Sequence, residues 1–205
     1  VPAAKIDPNV NRGSSDFDVR HLFSGALTYD VPSPDLKAVR GFLSNWSVDA
    51  IFRARSATPL NVILNRQLDG VPFVNRPNLV PGIPLYVDDP SVAGGRRFNG
   101  LAFSAPPAGQ QGNLGRNTMR GFHVSQLDLA FRRKISLGER VSLQLRSDFF
   151  NVFNHPNFAD PDGFLDDGDF FGQSLQMLGQ SLGGLNALYQ VGGPRSIQVA
   201  LKLQF

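Results

Sequence analysis

The sequence predicts an all-β fold. It reads as an antiparallel up-and-down transmembrane β-barrel, of which these 205 residues are an incomplete piece of about five strands with two long extracellular loops. Three observations predict this. Polar and apolar residues alternate with period two in five segments, as they do on a strand that sends successive side chains to opposite faces. Charged residues recur on one face of otherwise apolar segments, which suits a water-filled lumen better than a dry core. The connections alternate between short and long.

The first segment runs from about Val19 to Asp30, with Phe23, Leu27 and Tyr29 sharing a face with Gly25. The second runs from Trp46 to about Ser56. Trp46, Val48, Ala50, Phe52 and Ala54 alternate there with Ser47, Asp49, Ile51, Arg53 and Arg55. The third, about Val124 to Arg133, sets Leu127, Leu129 and Phe131 against Gln126, Asp128, Ala130 and Arg132. The fourth, Val141 to about Phe153, sets Val141, Leu143 and Leu145 against Ser142, Gln144 and Arg146, and its far end is aromatic on both faces. The fifth is I-Q-V-A-L-K-L-Q-F, Ile197 to Phe205, apolar at every odd position. A membrane-crossing strand needs about 9–11 tilted residues, so these lengths fit.

Between segments three and four lies only Ser136-Leu137-Gly138-Glu139, a tight turn. Between one and two, Pro32 and Pro34 precede a helical turn expected over Leu36 to Leu43. The second-to-third and fourth-to-fifth connections are far longer and rich in Pro, Gly and Asn. Loops beyond about 12–15 residues are uncommon in compact soluble domains and ordinary on the extracellular side of a barrel. All four connections agree with one orientation, in which the C-terminus is periplasmic. Tyr29, Trp46, Phe131 and Phe205 then sit at the periplasmic interface as an aromatic girdle. Five strands do not close a barrel of even strand number, so the chain is expected to be the C-terminal piece of a longer protein that supplies partners for both edges.

Composition narrows the function. The net charge is +3 and the longest basic run is Arg132-Arg133-Lys134, a poor basis for nucleic-acid binding. There is no Cys, which excludes disulfides and thiolate metal sites. No stretch approaches the roughly 18 apolar residues of a membrane helix, as expected where lipid-facing and lumen-facing residues alternate.

Several motifs add a family. Asp18-Val19-Arg20-His21 opens the first strand. Trp46-Ser47-Val48-Asp49-Ala50 is followed by Ser56-Ala57-Thr58-Pro59-Leu60, with Asn45 and Ala57 where Gly is usual. Then come the R-P-N-L-V-P-G of Arg76 to Gly82, the G-N-L-G-R-N-T-M-R-G of Gly112 to Gly121, and the F-N-V-F-N-H-P-N-F of Phe150 to Phe158. In these the chain resembles the C-terminal end of TonB-dependent outer-membrane receptors of the Oar-like group. The resemblance implies a barrel of about 22 strands with a plugged lumen, of which this is about the last quarter. It implies uptake or binding of a scarce extracellular solute, energised through the inner-membrane TonB complex. The plug domain and the TonB-contacting segment lie N-terminal in that family, outside this piece. It also implies that the apolar alternating end, with Leu201, Leu203 and Phe205 at its centre, is the signal read by the barrel-assembly machinery.

Each candidate site has a plainer reading. His21, His123 and His155 show none of the paired spacings of a metal motif, and isolated loop-end histidines are the simpler reading. Asp160, Asp162, Asp166, Asp167 and Asp169 could wrap a Ca²⁺ ion, although their spacing is not that of an EF-hand and a solvated loop is the plainer reading. The run from Gly112 to Gly121 lacks the Lys-Ser/Thr of a phosphate loop and precedes a strand. Asp49, Arg53, Arg55, Asp128, Arg132, Arg146 and Asp148 are expected to face the lumen, where they bond a plug or one another more readily than a solute. The expectation is therefore a transporter barrel in outer-membrane lipid, with no catalysis and no cofactor. The alternatives are a non-transporting surface or adhesion barrel, and a secreted all-β binding module whose apolar faces would meet in a dry core.

Overall fold

Five long strands hydrogen-bond in sequence order: β1 (Leu22–Asp30), β2 (Trp46–Arg55), β3 (Val124–Ser136), β4 (Ser142–Phe150) and β5 (Ser196–Gln204). Every pair is antiparallel, so the sheet is an up-and-down meander. The computed structural model describes residues 11–35, 37–68, 71–179 and 191–205, with the side chains of 37–39, 67–68 and 71–74 left aside. The sheet is not closed: among the described residues, β1 and β5 each have one long neighbour.

The register explains the alternation. Leu27, Ala50, Leu129, Phe149 and Ile197 form one row across all five strands, and Thr28, Asp49, Ala130, Asp148 and Gln198 form the next. Adjacent rows point to opposite faces. One face is therefore mostly apolar and the other carries most of the charges. The apolar face is left open, with Leu27, Val199 and Leu201 about two-thirds exposed. A secreted sandwich would have buried these side chains against a second sheet. Tyr29, Trp46 and Phe131 lie at the end of this face nearest the short connections, and Phe205 directly follows β5 at the same end.

Strand ends differ from the sequence expectation where the backbone turns left-handed. β4 stops at Phe150 because Asn151 adopts φ 48°, and Asn154 follows at φ 50°. Asn tolerates this region, which most side chains avoid. β3 runs three residues beyond Arg133 because Lys134, Ile135 and Ser136 still pair with Gln144, Leu143 and Ser142. The β3–β4 turn is closed by Leu137 N donating to Val141 O at 2.9 Å. A helix, α1 (Lys37–Leu43), occupies the β1–β2 connection, and Leu36 lies outside the described residues. β1 begins at Leu22, three residues after the expected Val19.

The described residues of the two long connections hold the hydrophobic core. Short strand pairs run through the β2–β3 connection, among them 64–68 with 71–75, 78–79 with 103–104, and 86–88 with 96–98. Val62, Phe98, Ala102, Phe103, Leu114 and Met119 from this connection pack with Phe171 from the β4–β5 connection. The rings of Tyr86, Phe98, Phe171 and Phe103 meet edge to face in succession, with centroids 5.5, 6.0 and 5.8 Å apart. Such pairs add about 0.5–1.5 kcal/mol each beyond the area they bury. Backbone bonds join the two connections: Ile63 N to Gly163 O, Leu165 N to Ile63 O, and Phe98 N to Gly172 O. Gly172 has φ +77°, and a Cβ there would lie 2.5 Å from Phe98 N, so only glycine permits this approach.

The segment before β1 is strapped to the same layer. Asn117 and Arg116 donate to the Asp16 carboxylate, and Arg120 donates to that of Asp18. These hydrogen bonds, led by Asn117 for Asp16 and by Arg120 for Asp18, hold both carboxyls below the usual aspartate range.

Two outcomes follow from this layer. Replacing Phe98 with Ala removes the ring between Tyr86 and Phe171 and should cost the loop layer about 3–5 kcal/mol. Hydrogen exchange on the full-length protein should then accelerate between residues 56 and 123 while β3 and β4 stay protected. Uniform acceleration through the sheet would contradict an independent loop core. The strap should respond to acid. Because the folded carboxyls titrate below their unfolded value of about 3.9, their contribution is present above that pH and is lost as pH falls through the folded values. Protease cleavage between residues 11 and 20 should rise in that acid window, and D16N/D18N should show the same susceptibility at neutral pH.

Candidate functional site

The polar face of the sheet is the candidate site. Asp49, Arg53, Arg55, Asp128, Arg132, Arg146 and Asp148 all fall on it. Asp49, Arg53, Asp128, Arg146 and Asp148 border a groove of about 410 Å³ that Thr28, Ile51 and Phe150 also line.

Most of the charges are already paired within the wall. Arg132 Nη2 donates to Asp49 Oδ1 at 2.8 Å, and Thr28 Oγ1 donates to the same oxygen at 2.8 Å. Arg146 holds Asp148 through Nε at 2.9 and 3.0 Å and through Nη2 at 2.8 Å. Arg53 Nη1 reaches Asp128 Oδ2 at 3.2 Å. Asp128 Oδ1 also accepts from Gln126 Nε2 at 2.7 Å and from Asn151 N at 2.9 Å. Ser47 Oγ donates to Asp30 Oδ1 at 2.5 Å. The carboxylates on this face are thus satisfied locally. Arg55, Lys134 and Lys202 lie on the same face with no ion-pair partner among the described residues. The unbalanced charge of the wall is therefore positive.

One histidine contact departs from the sequence expectation. His21 and His123 flank the end of β2 and border one shallow depression of about 520 Å³. His123 also meets His155, with ring centroids 5.9 Å apart, a pairing with no sequence signal because 32 positions separate them. The acidic run is dispersed. Asp160 accepts from Thr58 Oγ1, Asp162 from Phe164 N, and Asp166 from Asn65 N. Among the described residues no three His, Asp or Glu side chains gather as a metal site. Burial is the main cause that raises the Asp162 carboxyl above its usual range, with Asp167 nearby adding to it. Leu201 and Leu203 project from the apolar face of β5 and Phe205 follows them, all three exposed.

The residues that sequence reasoning missed are the asparagines and arginines that tie loops together. Asn151 Nδ2 donates to His155 O and Gly193 O, and its Oδ1 accepts from His155 N. Asn157 holds Ser125 through both its amide groups. Asn78 and Asn113 exchange side-chain bonds with the backbone beside each other, Asn113 N to Asn78 Oδ1 and Leu79 N to Asn113 Oδ1. Gly112 donates to Arg76 O, and a Cβ at 112 would lie 2.2 Å from that oxygen. The Arg76-to-Gly82 and Gly112-to-Gly121 motifs are thus two halves of one lock.

The wall pairs should differ in weight. Asp128 is the more enclosed carboxylate and serves three donors, so D128A should cost about 2–3 kcal/mol of barrel stability. Asp49 faces the groove, and the coupling between Asp49 and Arg132 in a double-mutant cycle should be about 0.2–1 kcal/mol. Urea unfolding of the full-length protein in detergent checks both, and an equal cost for D128A and D49A would contradict the ranking.

No curated protein and no solved structure matches the chain. One family model does, that of the outer membrane beta barrel domain, over residues 1–198. This agrees with the antiparallel meander, its outward apolar face and its charged opposite face. The chain belongs to the outer-membrane β-barrel domain family.

Proposed function

We propose that this barrel section is part of a TonB-dependent transporter that takes up an extracellular solute, with the C-terminus of the chain on the periplasmic side. The observation that supports it best is the asymmetry of the two ends. Both long connections fold together into one layer at the end of the sheet opposite the β3–β4 turn. A folded layer over one mouth is suited to selecting a solute before it enters the lumen. The polar wall beneath it carries cations without acidic partners, which favours an anionic solute or a plug with acidic side chains. The motif resemblance to Oar-like receptors points the same way.

In this reading the protein catalyses no reaction. Its partners are outer-membrane lipid, its own N-terminal plug, TonB acting through that plug, and the barrel-assembly machinery, to which Leu201, Leu203 and Phe205 offer their apolar edge. The wall charges position the plug and shape the passage.

The test is energised uptake in cells that express the full-length protein. Solute accumulation should depend on the protein, and it should fall to background when TonB is removed or the proton gradient is collapsed. Surface binding that survives both treatments, with no accumulation, would overturn transport and leave an adhesion or docking barrel. Neutralising Arg55, Lys134 and Lys202 together with Gln should lower accumulation without lowering the amount of assembled barrel.

A further inference from the structure

The apolar face of the sheet carries one cation near its turn end. Arg133 belongs to the odd, outward row of β3, between Phe131 and Ile135, and pairs across to Trp46 and Leu145. A charge on a lipid-facing row costs about 2–4 kcal/mol at the bilayer midplane and about 0–1 near the interface. Among the described residues Arg133 has no carboxylate partner.

What surrounds it is α1. Arg133 Nη2 donates to Gly41 O, and its guanidinium lies 5.8 Å from the Phe42 ring and 5.5 Å from the Trp46 ring. Trp46 Nε1 donates to Phe42 O at 2.9 Å, and Lys134 N donates to Asn45 O at 3.1 Å. The last turn of α1 is thereby bolted to the outward side of β2 and β3. A cation at helix C-terminal carbonyls is favourable in itself, so part of this arrangement is a cap. The cap does not account for Phe42 and Leu43, which are 79% and 52% exposed. Phe42 lies against Arg133 and Trp46, the outward row next to that of Tyr29, Val48 and Phe131, so this turn of α1 extends the apolar face.

The geometry points to a phospholipid anchor: the last turn of α1 lies in the membrane interface at this end of the barrel, with Phe42 and Leu43 among the acyl chains and Arg133 holding the phosphate of an anionic phospholipid. Continuity with the lipid-facing surface of the family's barrel names the occupant. Arginine suits the role because its stem lies along apolar surface while its head reaches polar groups. Its planar fork can serve a helix carbonyl and a phosphate together. Indole and phenyl rings over the guanidinium supply the aromatic half of an interfacial belt. The inference needs the barrel and not transport, so it stands or falls apart from the uptake reading.

The test uses full-length protein in vesicles of phosphatidylethanolamine and phosphatidylglycerol. A nitrobenzoxadiazole label is placed at F42C, with L127C as a mid-membrane reference and G138C in the β3–β4 turn as a reference at the same end. Lipids spin-labelled at the headgroup or deep in the acyl chain quench by depth, and the readout is independent of which way the barrel inserts. The label at 42 should be quenched most by the headgroup probe and clearly more than the label at 138. Equal quenching at 42 and 138 would overturn the anchor. Loss of deep quenching at 127 would instead overturn the membrane placement of the sheet. Native mass spectrometry supplies the second arm. R133Q should retain about fivefold less phosphatidylglycerol than wild type, and R133K should retain most of it. Undiminished retention in R133Q, or equal loss in R133Q and R133K, would overturn the assignment of the phosphate to the charge of Arg133.

Discussion

Side-chain amides and guanidinium groups bonded to loop backbone are the constraint on which the rest of this structure depends. A strand satisfies its own backbone through its neighbour, but a long irregular connection does not, and an unmet buried peptide group costs about 1–3 kcal/mol. Here Asn151 and Asn157 each meet two or more such groups, Asn78 and Asn113 meet one each, and Arg76 donates to Leu114 O from a buried position. Burial lowers the pKa of that guanidinium, the expected direction for a cation taken out of water, with the nearby Arg116 adding to it. Without these bonds the aromatic core above the sheet would lack the fixed loop geometry that brings Phe171 to Phe98. Asn151 also links the two levels, because its N–H ends on Asp128 in the wall while its amide holds the loop that leads back to β5.

The sheet was legible in the sequence and the loop layer was not, for a physical reason. Period-two alternation is local, so Asp49 and Arg53, or Asp128 and Arg132, announce their shared face over a few residues. The register then puts Arg132 beside Asp49 across 83 positions, an ion pair that alternation alone does not specify. The motifs of the connections were visible as patterns but not as partners, because nothing periodic ties Asn78 to Asn113 or Asn117 to Asp16. Asn45 shows the intermediate case. It stands where Gly is usual, and it adopts φ 62°, a left-handed conformation that Asn enters more readily than other side chains. The substitution was readable, and the reason for it needed the backbone.

The candidate site follows the same division. Its location on the polar face was readable from alternation. Its electrostatic character was not, because counting charges gives no indication of which are spent. Asp128 and Asp148 are spent on Arg53 and Arg146, whereas Arg55, Lys134 and Lys202 are not. A wall whose carboxylates are all occupied presents donors to whatever fills the lumen. That bias would hold for a plug and for a passing solute alike, and it argues against a wall selected to bind cations.

The chain uses the hydrophobic effect in opposite directions at its two levels. In the sheet, large apolar side chains point outward and the interior is charged, an arrangement that is stable only where the surrounding solvent is itself apolar. In the loop layer Val62, Phe98 and Met119 turn inward, as in a protein surrounded by water. The boundary between the two regimes falls where β2 and β3 leave the sheet and β4 stops at Asn151. Val124 is buried there by the loops, and Ser125 N donates to Asn157 only two residues before the outward row of Leu127 begins. Alternation therefore ends where the loop layer begins, with Asn151 and Asn157 at one end of the outward apolar face and Trp46 and Tyr29 at the other.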